Sequence, residues 1–235
     1  MIGWRMGNSV KKHIGGIEMT VVPEEISTIC RKRMEPFDCE GFVNGRGPLD
    51  PILMIVGEAP GETEIHNGIP FSGRAGKVLD EFFRYVGVDR KDIYFTSTVR
   101  SRPFKRVDKV RKDGRVERKW VNRAPNRKEQ LAHAAILDYE MTHVHPKQIV
   151  TLGNIGLQRL AGREYSISSV HGTPIRTKVK CLKDYDRREW GETEEEYSLF
   201  PTFHPASIFY NRSLERDIYR DLDQLRQILS DKGVF

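Results

Sequence analysis

Several side chains that could take part in a chemical reaction follow one apolar run, residues 52–56. They are Glu58, Glu62, Glu64, His66 and Phe71. An unbroken apolar run of this length predicts a strand that is buried on both faces of a parallel sheet. The glycines and prolines that follow it indicate an irregular loop. Because ligands of open α/β sheets bind outside the carboxyl ends of the strands, we expect these side chains to line an active site.

A second apolar run, residues 199–203, leads into the sequence HPASI, which begins with His204. The arrangement repeats that of the first run, because a predicted strand again ends at a loop that carries a titratable side chain. The residue types by themselves leave the reaction open.

Strands and helices alternate along the chain after residue 52. Apolar runs predict strands at residues 52–56, 93–99, 148–152 and 199–203, and helical spacing predicts helices at residues 75–86, 127–144, 154–160 and 214–229. Residues 165–198 show no regular pattern. The alternation predicts a three-layer α/β/α fold with a central four-stranded parallel sheet. Residues 1–29 are predicted to be an N-terminal arm, or to end in a short helix at residues 24–33, and residues 30–235 form the domain.

The charge balance favours a polyanionic partner. The chain has 39 Lys and Arg against 33 Asp and Glu, a formal net charge of +6. Nucleic acid suits this excess, and a basic solvated surface is the alternative. No apolar run has membrane length, and basic residues interrupt the N-terminus before a signal peptide could form, so a cytoplasmic protein is expected. Three cysteines, an odd number, favour free thiols over a disulfide framework.

The segment from residue 100 to residue 128 is dense in Arg and Lys, with an Asp-Gly turn signal at residues 113–114. It is predicted to be a basic insertion, either a two-stranded excursion or a mobile loop. An electrostatic clamp on phosphates is one function that suits it, and a disordered solvated loop is the alternative. Phe104 and Trp120, which lie among the basic residues, could stack on unpaired bases.

Six segments of the chain resemble, in order, the motifs of one enzyme family: LMIVGEAPG, GIPFSGRAG, IYFTSTVRSRP, APNRKEQLAHA, IVTLGNIGLQRLAG and HPASI. The family is the uracil-DNA glycosylase superfamily, and the resemblance is closest to its iron–sulfur branch, often called family four. It runs from about Cys30 to the C-terminus. It implies a glycosylase of base excision repair, which hydrolyses the N-glycosidic bond of uracil or another deaminated base in single- or double-stranded DNA. No lysine stands in GEAPG, GIPFSGRAG or HPASI to form a Schiff base, so the enzyme is expected to be monofunctional. It is also expected to be a monomer and to require no metal.

The resemblance assigns roles to three residues that match the motifs. Glu58 would position or activate water and balance the positive charge of the sugar, and a carboxylate that caps a backbone amide is the alternative. His204 would donate to the uracil carbonyl oxygen as charge builds there, unless it is a strand-end histidine bonded to backbone. Phe71 would stack on the flipped base, with core packing as the alternative.

Other matching positions are implied to contact the base or the DNA. Ala59 and Glu64 would lie beside the base. The acid that usually accompanies Glu64 is Ile65 here, so electrostatic support and a structural cap are both open for Glu64. Ile208 would fill the gap left by the flipped base, or would begin the core of the last helix. The predicted DNA contacts are Arg100, Arg102, Lys105, Arg106, Trp120, Ser207 and Ile208.

Ser97 stands where relatives carry an Asn at the end of the second strand. An Asn amide reads the uracil edge by donating and accepting at once, and a serine hydroxyl is shorter. The change implies specificity that is broader than uracil, or shifted toward hypoxanthine or xanthine, and a low rate. His66 could supply a replacement donor or face solvent. Asn122 replaces the histidine through which one subgroup traps uracil covalently, so covalent capture is not expected.

The iron–sulfur branch holds its cluster with four cysteines, and only Cys30 matches one of them. The other three positions fall on Arg33, Ser101 and His133. Thiolate clusters rarely tolerate three such losses. We therefore expect no cluster and no cofactor.

A catalytically weak DNA-binding module of the same fold, which recognises damaged or single-stranded DNA, is the main alternative function. Ser97 and Ile65 favour this module, whereas Glu58, Phe71 and His204 favour the enzyme. A nucleotide-binding enzyme is a third alternative, but GEAPGETE lacks the Lys-Ser/Thr ending of a phosphate-binding loop.

Overall fold

Strands form the centre of the fold, with helices on both sides. The structure is a computed structural model that describes residues 20–111 and 113–235. Its helices are α1 (Glu24–Met34), α2 (Glu62–Asn67), α3 (Arg74–Val86), α4 (Arg127–His143), α5 (Gly153–Leu160), α6 (Ile167–Val170) and α7 (Leu214–Asp231). Its strands are β1 (Cys39–Glu40), β2 (Leu53–Gly57), β3 (Ile93–Ser97), β4 (Arg102–Val110), β5 (Val116–Asn122), β6 (Gln148–Leu152), β7 (Ile175–Asp184) and β8 (Glu189–Thr202).

The central sheet has five strands in the order β3–β2–β6–β8–β7. The first four run parallel to one another, as the sequence predicts. β7 is an additional edge strand, antiparallel to β8, so the predicted count of four strands is too low by one. β7 and most of β8 lie in the segment that shows no regular apolar pattern. These strands extend beyond the core. They are linked by partly exposed ion pairs, such as Lys180 with Glu192, whose Nζ and Oε1 atoms are 2.7 Å apart. Because such strands bury few side chains, their sequence shows no apolar alternation.

Successive side chains of β2 point into two separate cores. Leu53 and Ile55 pack with residues of α3 and α7 on one face of the sheet. Met54 and Val56 pack with residues of α4 and α5 on the other face. All four side chains are fully buried, which is why the strand carries no polar residue. The two cores define the three layers of the predicted α/β/α fold.

Helix α1 packs against α4 at one end of the molecule. Val22, Ile26 and Cys30 form a small buried cluster with Ile136 of α4. Residues 1–19 of the predicted arm lie outside the described residues, and α1 crosses the predicted boundary between residues 29 and 30. The division of the chain into an arm and a domain stays a prediction.

The basic insertion forms an antiparallel ribbon. β4 and β5 pair along their lengths, and β1 pairs with the inner end of β4. The turn between β4 and β5 contains the Asp-Gly signal. Gly114 has a φ of 78°, and Asp113 Oδ1 accepts the N–H of Arg115 at 3.1 Å. Of the two alternatives for this segment, the structure therefore shows the two-stranded one.

Candidate active site at the carboxyl edge of the sheet

Loops at the carboxyl ends of the parallel strands meet at one edge of the sheet. The loop after β2 is tied to the loop after β3, because the N–H and the hydroxyl of Thr98 both donate to the Gly57 carbonyl, at 2.9 and 3.1 Å. The loops after β6 and β8 also approach closely, since a Cβ on Gly153 would stand 3.3 Å from the Cβ of His204. Gly153 has a φ of 73°, which glycine adopts without strain. The sheet thus brings the two predicted motif loops to the same edge.

Glu58 is the first side chain beyond β2, and it is partly buried. Burial raises the pKa of its carboxyl group above the ordinary value. Within residues 20–111 and 113–235, no group donates a hydrogen bond to this carboxylate, so nothing there supports the alternative of a backbone cap. Its backbone carbonyl accepts the N–H of Val99 at 3.2 Å, which fixes the position of the residue. A desolvated carboxylate without a partner is suited to a proton or a developing positive charge.

Glu64 connects two turns of the motif loop. Its Oε2 accepts the N–H of Gly61 at 3.1 Å and its Oε1 accepts the N–H of Gly73 at 2.8 Å. A Cβ at either glycine would stand about 3 Å from these oxygens, at 2.9 Å for Gly61 and 3.0 Å for Gly73. The two glycines therefore allow the carboxylate to reach both N–H groups. This geometry is that of the structural cap, and a contact of Glu64 with the base stays a prediction.

Phe71 lies with its ring over the end of β2. A Cβ on Gly57 would stand 2.5 Å from Phe71 Cζ, so only glycine at position 57 leaves room for the ring. The ring centroid is 5.8 Å from that of Phe95 on β3. Phe71 is partly buried beside the α3/α7 core, so the structure is compatible with packing and with an exposed stacking face.

The backbone of Phe71 is held in a left-handed conformation, with a φ of 51°. For a residue other than glycine this conformation costs about 1–3 kcal/mol. Arg90 offsets the cost, because its Nη2 donates to the carbonyls of Pro70 at 2.8 Å and Phe71 at 3.0 Å. Asp80 orients the guanidinium group through a 2.6 Å bond to Nη1. Neither Arg90 nor Asp80 lies in a motif, and the bonds of Arg90 to the Phe71 loop arise only in the folded chain, so the sequence alone does not reveal these two residues.

His204 begins the 3₁₀ turn Pro205–Phe209 that follows β8. Its Nδ1 accepts the N–H of Ala206 at 3.2 Å, so the neutral ring carries its proton on Nε2. Burial lowers the pKa of His204 to about 4, and the smaller influence of the nearby Glu64 carboxylate opposes this shift. At neutral pH the residue is therefore an uncharged imidazole with one N–H available as a donor.

Ser97 is engaged within its own loop. Its hydroxyl donates to the Val99 carbonyl at 2.8 Å, and Arg100 Nη1 lies 3.4 Å from the Ser97 hydroxyl oxygen. Arg100 also donates to the Ser97 carbonyl. The serine is half-buried at the end of β3, and its predicted contact with a base is not tested by these bonds.

Arg100, for which the sequence predicts a contact with DNA, has a side chain that is only 1% exposed in the structure. It pairs with the fully buried carboxylate of Glu140 on α4. Burial raises the pKa of Glu140, and Arg100 opposes that rise. Thr96 and Tyr94 also donate to the Glu140 carboxylate, at 2.5 and 3.1 Å. The guanidinium group is thus part of a buried network beneath the strand ends, where no phosphate can reach it.

Arg102 is the second predicted DNA contact that the structure places in the interior, with 4% of its side chain exposed. It donates to Glu40, to the Asn122 side chain at 2.5 Å and to the Trp120 carbonyl at 3.2 Å. These bonds join β1, β4 and β5 at the base of the ribbon. Its role in the structure is to fix the ribbon, and its contact with DNA stays a prediction that this buried position does not favour.

The other predicted DNA contacts lie at or near the surface. Lys105 and Arg106 are exposed on the ribbon, and the Trp120 residue is 52% exposed. Ser207 and Ile208 lie in the turn after His204 and are partly buried, with Ile208 packed beside the α3/α7 core. Both alternatives for Ile208 therefore remain. Ala59 is partly buried in the loop directly after Glu58.

The residues aligned with the ligands of an iron–sulfur cluster have other partners here. Burial raises the pKa of the Cys30 thiol to about 11, so it is not a thiolate at neutral pH. The guanidinium of Arg33 stacks on the ring of Tyr185, 3.5 Å from its centroid, and the His133 ring lies 5.7 Å from that of Phe42. In the described part of the chain, no three His, Cys, Asp or Glu side chains form a possible metal site. The donor set therefore does not fit an iron–sulfur cluster.

Known proteins of one family are similar to this chain. The model of the family "Uracil DNA glycosylase superfamily" matches residues 44–226. The type-4 uracil-DNA glycosylase of Thermotoga maritima is 32% identical over 194 residues, which cover 81% of this chain and 84% of that protein. The protein of the same name from Sulfurisphaera tokodaii is 32% identical over 188 residues, 79% of this chain and 74% of that protein. The one from Pyrobaculum aerophilum is 33% identical over 184 residues, 77% of this chain and 79% of that protein.

Proposed function

Because the chain belongs to the uracil-DNA glycosylase superfamily, we propose that it hydrolyses the N-glycosidic bond of uracil or another deaminated base in DNA. The observation that supports the proposal is that a desolvated carboxylate, an uncharged histidine donor and an aromatic ring all lie in loops at the carboxyl edge of the sheet. These groups are Glu58, His204 and Phe71. The reaction is that of a monofunctional glycosylase in base excision repair, and none of its steps requires a metal.

Cleavage of the bond produces a positively charged, oxocarbenium-like sugar and an anionic base in the transition state. The Glu58 carboxylate would balance the charge on the sugar and orient or deprotonate the attacking water. Its burial favours both roles, because an unsolvated carboxylate interacts more strongly with a nearby charge. The enzyme would act on a nucleotide that has been rotated out of the base stack, and the ring of Phe71 would provide the face on which the base stacks.

His204 would act on the departing base. Its Nε2–H would donate to the base carbonyl oxygen on which negative charge accumulates. A hydrogen bond to a charged group of this kind contributes roughly 1–3 kcal/mol. The bond from Ala206 to Nδ1 is what keeps the donor proton on Nε2.

The pH dependence of the rate should reflect Glu58 and not His204. The pKa of Glu58 is raised above its ordinary value of 4.5, so the active carboxylate is lost as pH falls through that higher value. His204, with a pKa of about 4 in place of 6.5, stays neutral above that pH. We expect single-turnover rates to rise with pH in one acid limb that belongs to Glu58, with no second inflection from His204 at its ordinary pKa of 6.5. The pH–rate profile of a Glu58→Gln variant should lack this acid limb. If the limb remained in the variant, a group other than Glu58 would be responsible for it.

The preferred base is tested directly by an assay of the purified protein. Oligonucleotides that carry uracil, hypoxanthine, xanthine or mismatched thymine would be incubated with the protein and cleaved with alkali at abasic sites. Release of at least one deaminated base at a rate above that of a Glu58→Gln control supports the proposal. No release from any of them would contradict it.

Ser97 is expected to widen the choice of base. An Asn amide could donate and accept at the uracil edge at the same time, so Ser97→Asn should increase the preference for uracil over hypoxanthine. A well-formed polar contact contributes roughly 1–3 kcal/mol of discrimination. The measurement is the ratio of single-turnover rates on the two substrates. An unchanged ratio in a folded variant would mean that residue 97 does not face the base.

A DNA-binding module with weak or absent catalysis is the second candidate, and the position of Ile65 favours it. The side chain of Ile65 packs on Gly41, where a Cβ would stand 2.6 Å from Ile65 Cβ. The position at which relatives have a second acid therefore adds an apolar contact to the loop. The same base-release assay separates the two candidates, because the module would bind these oligonucleotides and release no base.

DNA is the proposed partner, in single- or double-stranded form. None of the described helices has the length and apolar character of a membrane span. A cytoplasmic location and a monomeric state are part of the proposal. The three cysteines, which are all free in the structure, are consistent with a reducing compartment.

A further inference from the structure

The ribbon formed by β4 and β5 has two faces of different chemistry. Residues directly opposite each other in an antiparallel pair place their side chains on the same face. One face carries the opposed pairs Phe104/Asn122, Arg106/Trp120, Asp108/Arg118 and Val110/Val116. The other carries Lys105/Val121, Val107/Lys119 and Lys109/Glu117. We refer to these as the aromatic face and the lysine face.

The aromatic face continues into the candidate active site. Asn122, at its inner end, has its Nδ2 3.6 Å from the point where a Cβ on Gly61 would stand. Arg102, two residues before Phe104 and so on the same side of β4, lies 3.9 Å from Glu62, Nη2 to Oε2. Both contacts are made with the segment that follows Glu58, at Gly61 and at the first residue of α2. The aromatic face therefore begins at the active-site loop and extends outward from it, whereas the lysine face points to the other side.

Exposed aromatic surface is present on the aromatic face. Trp120 is 52% exposed, and Phe104 supports it from the side at a centroid distance of 4.9 Å. Arg106 stands directly opposite Trp120 and is exposed. An indole ring beside a guanidinium group is a combination that binds unpaired nucleotides, because the ring stacks on any base and the cation contacts a phosphate. The lysine face has cations but no aromatic ring, and Lys119 lies 3.5 Å from the Glu117 carboxylate.

We propose that the aromatic face binds unpaired nucleotides of the substrate strand next to the nucleotide in the active site. Trp120 stacks on a base and Arg106 contacts the adjoining phosphate. This inference deepens the proposed function, since it assumes DNA as the substrate. It also divides the basic insertion into one face that binds nucleotides and one that does not, with Lys105 on the second.

The test is the affinity for undamaged DNA, measured by fluorescence anisotropy with a labelled single strand and with its duplex. Trp120→Leu should weaken binding of the single strand roughly 10-fold, as expected for the loss of one base–aromatic stack, and should weaken duplex binding much less. Trp120→Phe should retain most of the affinity, because it keeps a ring for stacking. Trp190→Leu is the matched control, since Trp190 is another exposed tryptophan, 39% exposed on β8 beneath Arg159.

A second comparison tests the assignment of the faces. Arg106→Ala combined with Trp120→Leu removes the aromatic face, and Lys109→Ala combined with Lys119→Ala removes two cations from the lysine face. The first variant should lose single-strand affinity, and the second should show only the small, salt-dependent effect of its lost charges. Equal losses in the two variants, or full affinity in Trp120→Leu, would overturn the proposal. Circular dichroism would confirm that each variant is folded.

The outcome is independent of base release, because the DNA in this assay contains no damaged base. If the protein binds single strands through Trp120 but releases no base from any substrate, the proposed function fails and the binding surface stands. If the protein releases bases while Trp120→Leu binds single strands like the wild type, the proposed function stands and the proposed binding surface fails.

Discussion

Glu58→Gln is expected to lower the single-turnover rate of base release by about 10²-fold, the effect typical of removing one electrostatic or general-base group. The affinity for substrate DNA should change little. The positive charge that the carboxylate balances exists in the transition state and is absent from the bound ground state. The structure supports this expectation because the carboxylate is desolvated and receives no hydrogen bond from the described residues. Gln has the same shape, so the loop should keep its conformation.

Glu62→Gln provides the matched control for this substitution. Glu62 follows Glu58 closely as the first residue of α2, but 69% of its side chain is exposed, and Arg102 Nη2 lies 3.9 Å from its Oε2. The control should have nearly the wild-type rate. A full rate in Glu58→Gln would show that this residue has a structural role, and the catalytic acid would then have to be sought at Glu64 or His66.

Arg100→Met is expected to lower the free energy of unfolding by about 3–5 kcal/mol at neutral pH, the cost of leaving one member of a buried ion pair without its partner. Glu140, which is fully buried, would lose Arg100, the one cation with which it forms an ion pair in the described part of the chain. Because burial already raises the pKa of Glu140, its carboxyl group would become protonated more readily in the variant. The loss of stability should therefore be smaller at acidic pH. Denaturant unfolding at two pH values would measure both effects.

The double variant Arg100→Met/Glu140→Leu should be more stable than Arg100→Met, because it removes the unpaired charge as well. The exposed pair of Arg176 with Glu196 is the control. Their side chains are 80% and 50% exposed, so Arg176→Met should cost no more than about 1 kcal/mol. Equal losses in Arg100→Met and Arg176→Met would mean that the buried network does not stabilise the fold.

Four parallel strands and the loops at their carboxyl ends could be predicted from the sequence. Strand β2 is buried on both faces, so its composition is apolar throughout, and such a run has few other structures open to it. The order of strands and helices then places Glu58 and His204 at one edge of the sheet, whatever the packing details. The ribbon at residues 102–122 was also foreseen as one of two alternatives, because an Asp-Gly turn between basic segments is a local signal.

The fifth strand and the interior positions of Arg100 and Arg102 depended on tertiary structure. An arginine in a basic segment is expected to be exposed. Its side chain is buried only where the fold supplies an acidic partner for the guanidinium group. Arg100 is buried because Glu140 is brought beneath it from α4, 40 residues away in the sequence. β7 forms through pairing with β8. No apolar alternation marks β7 in the sequence, because much of this strand pair lies outside the core.

The conformation of Phe71 was decided in the same way. The sequence placed Phe71 in a loop near the predicted active site, and its type suggested stacking or packing. Its left-handed backbone and the position of its ring over Gly57 depend on Arg90, whose guanidinium reaches the Pro70 and Phe71 carbonyls from the turn before β3. Local residue types determine which chemical groups are present in each loop, whereas distant ion pairs and hydrogen bonds determine their orientation, because these bonds form only when the chain has folded.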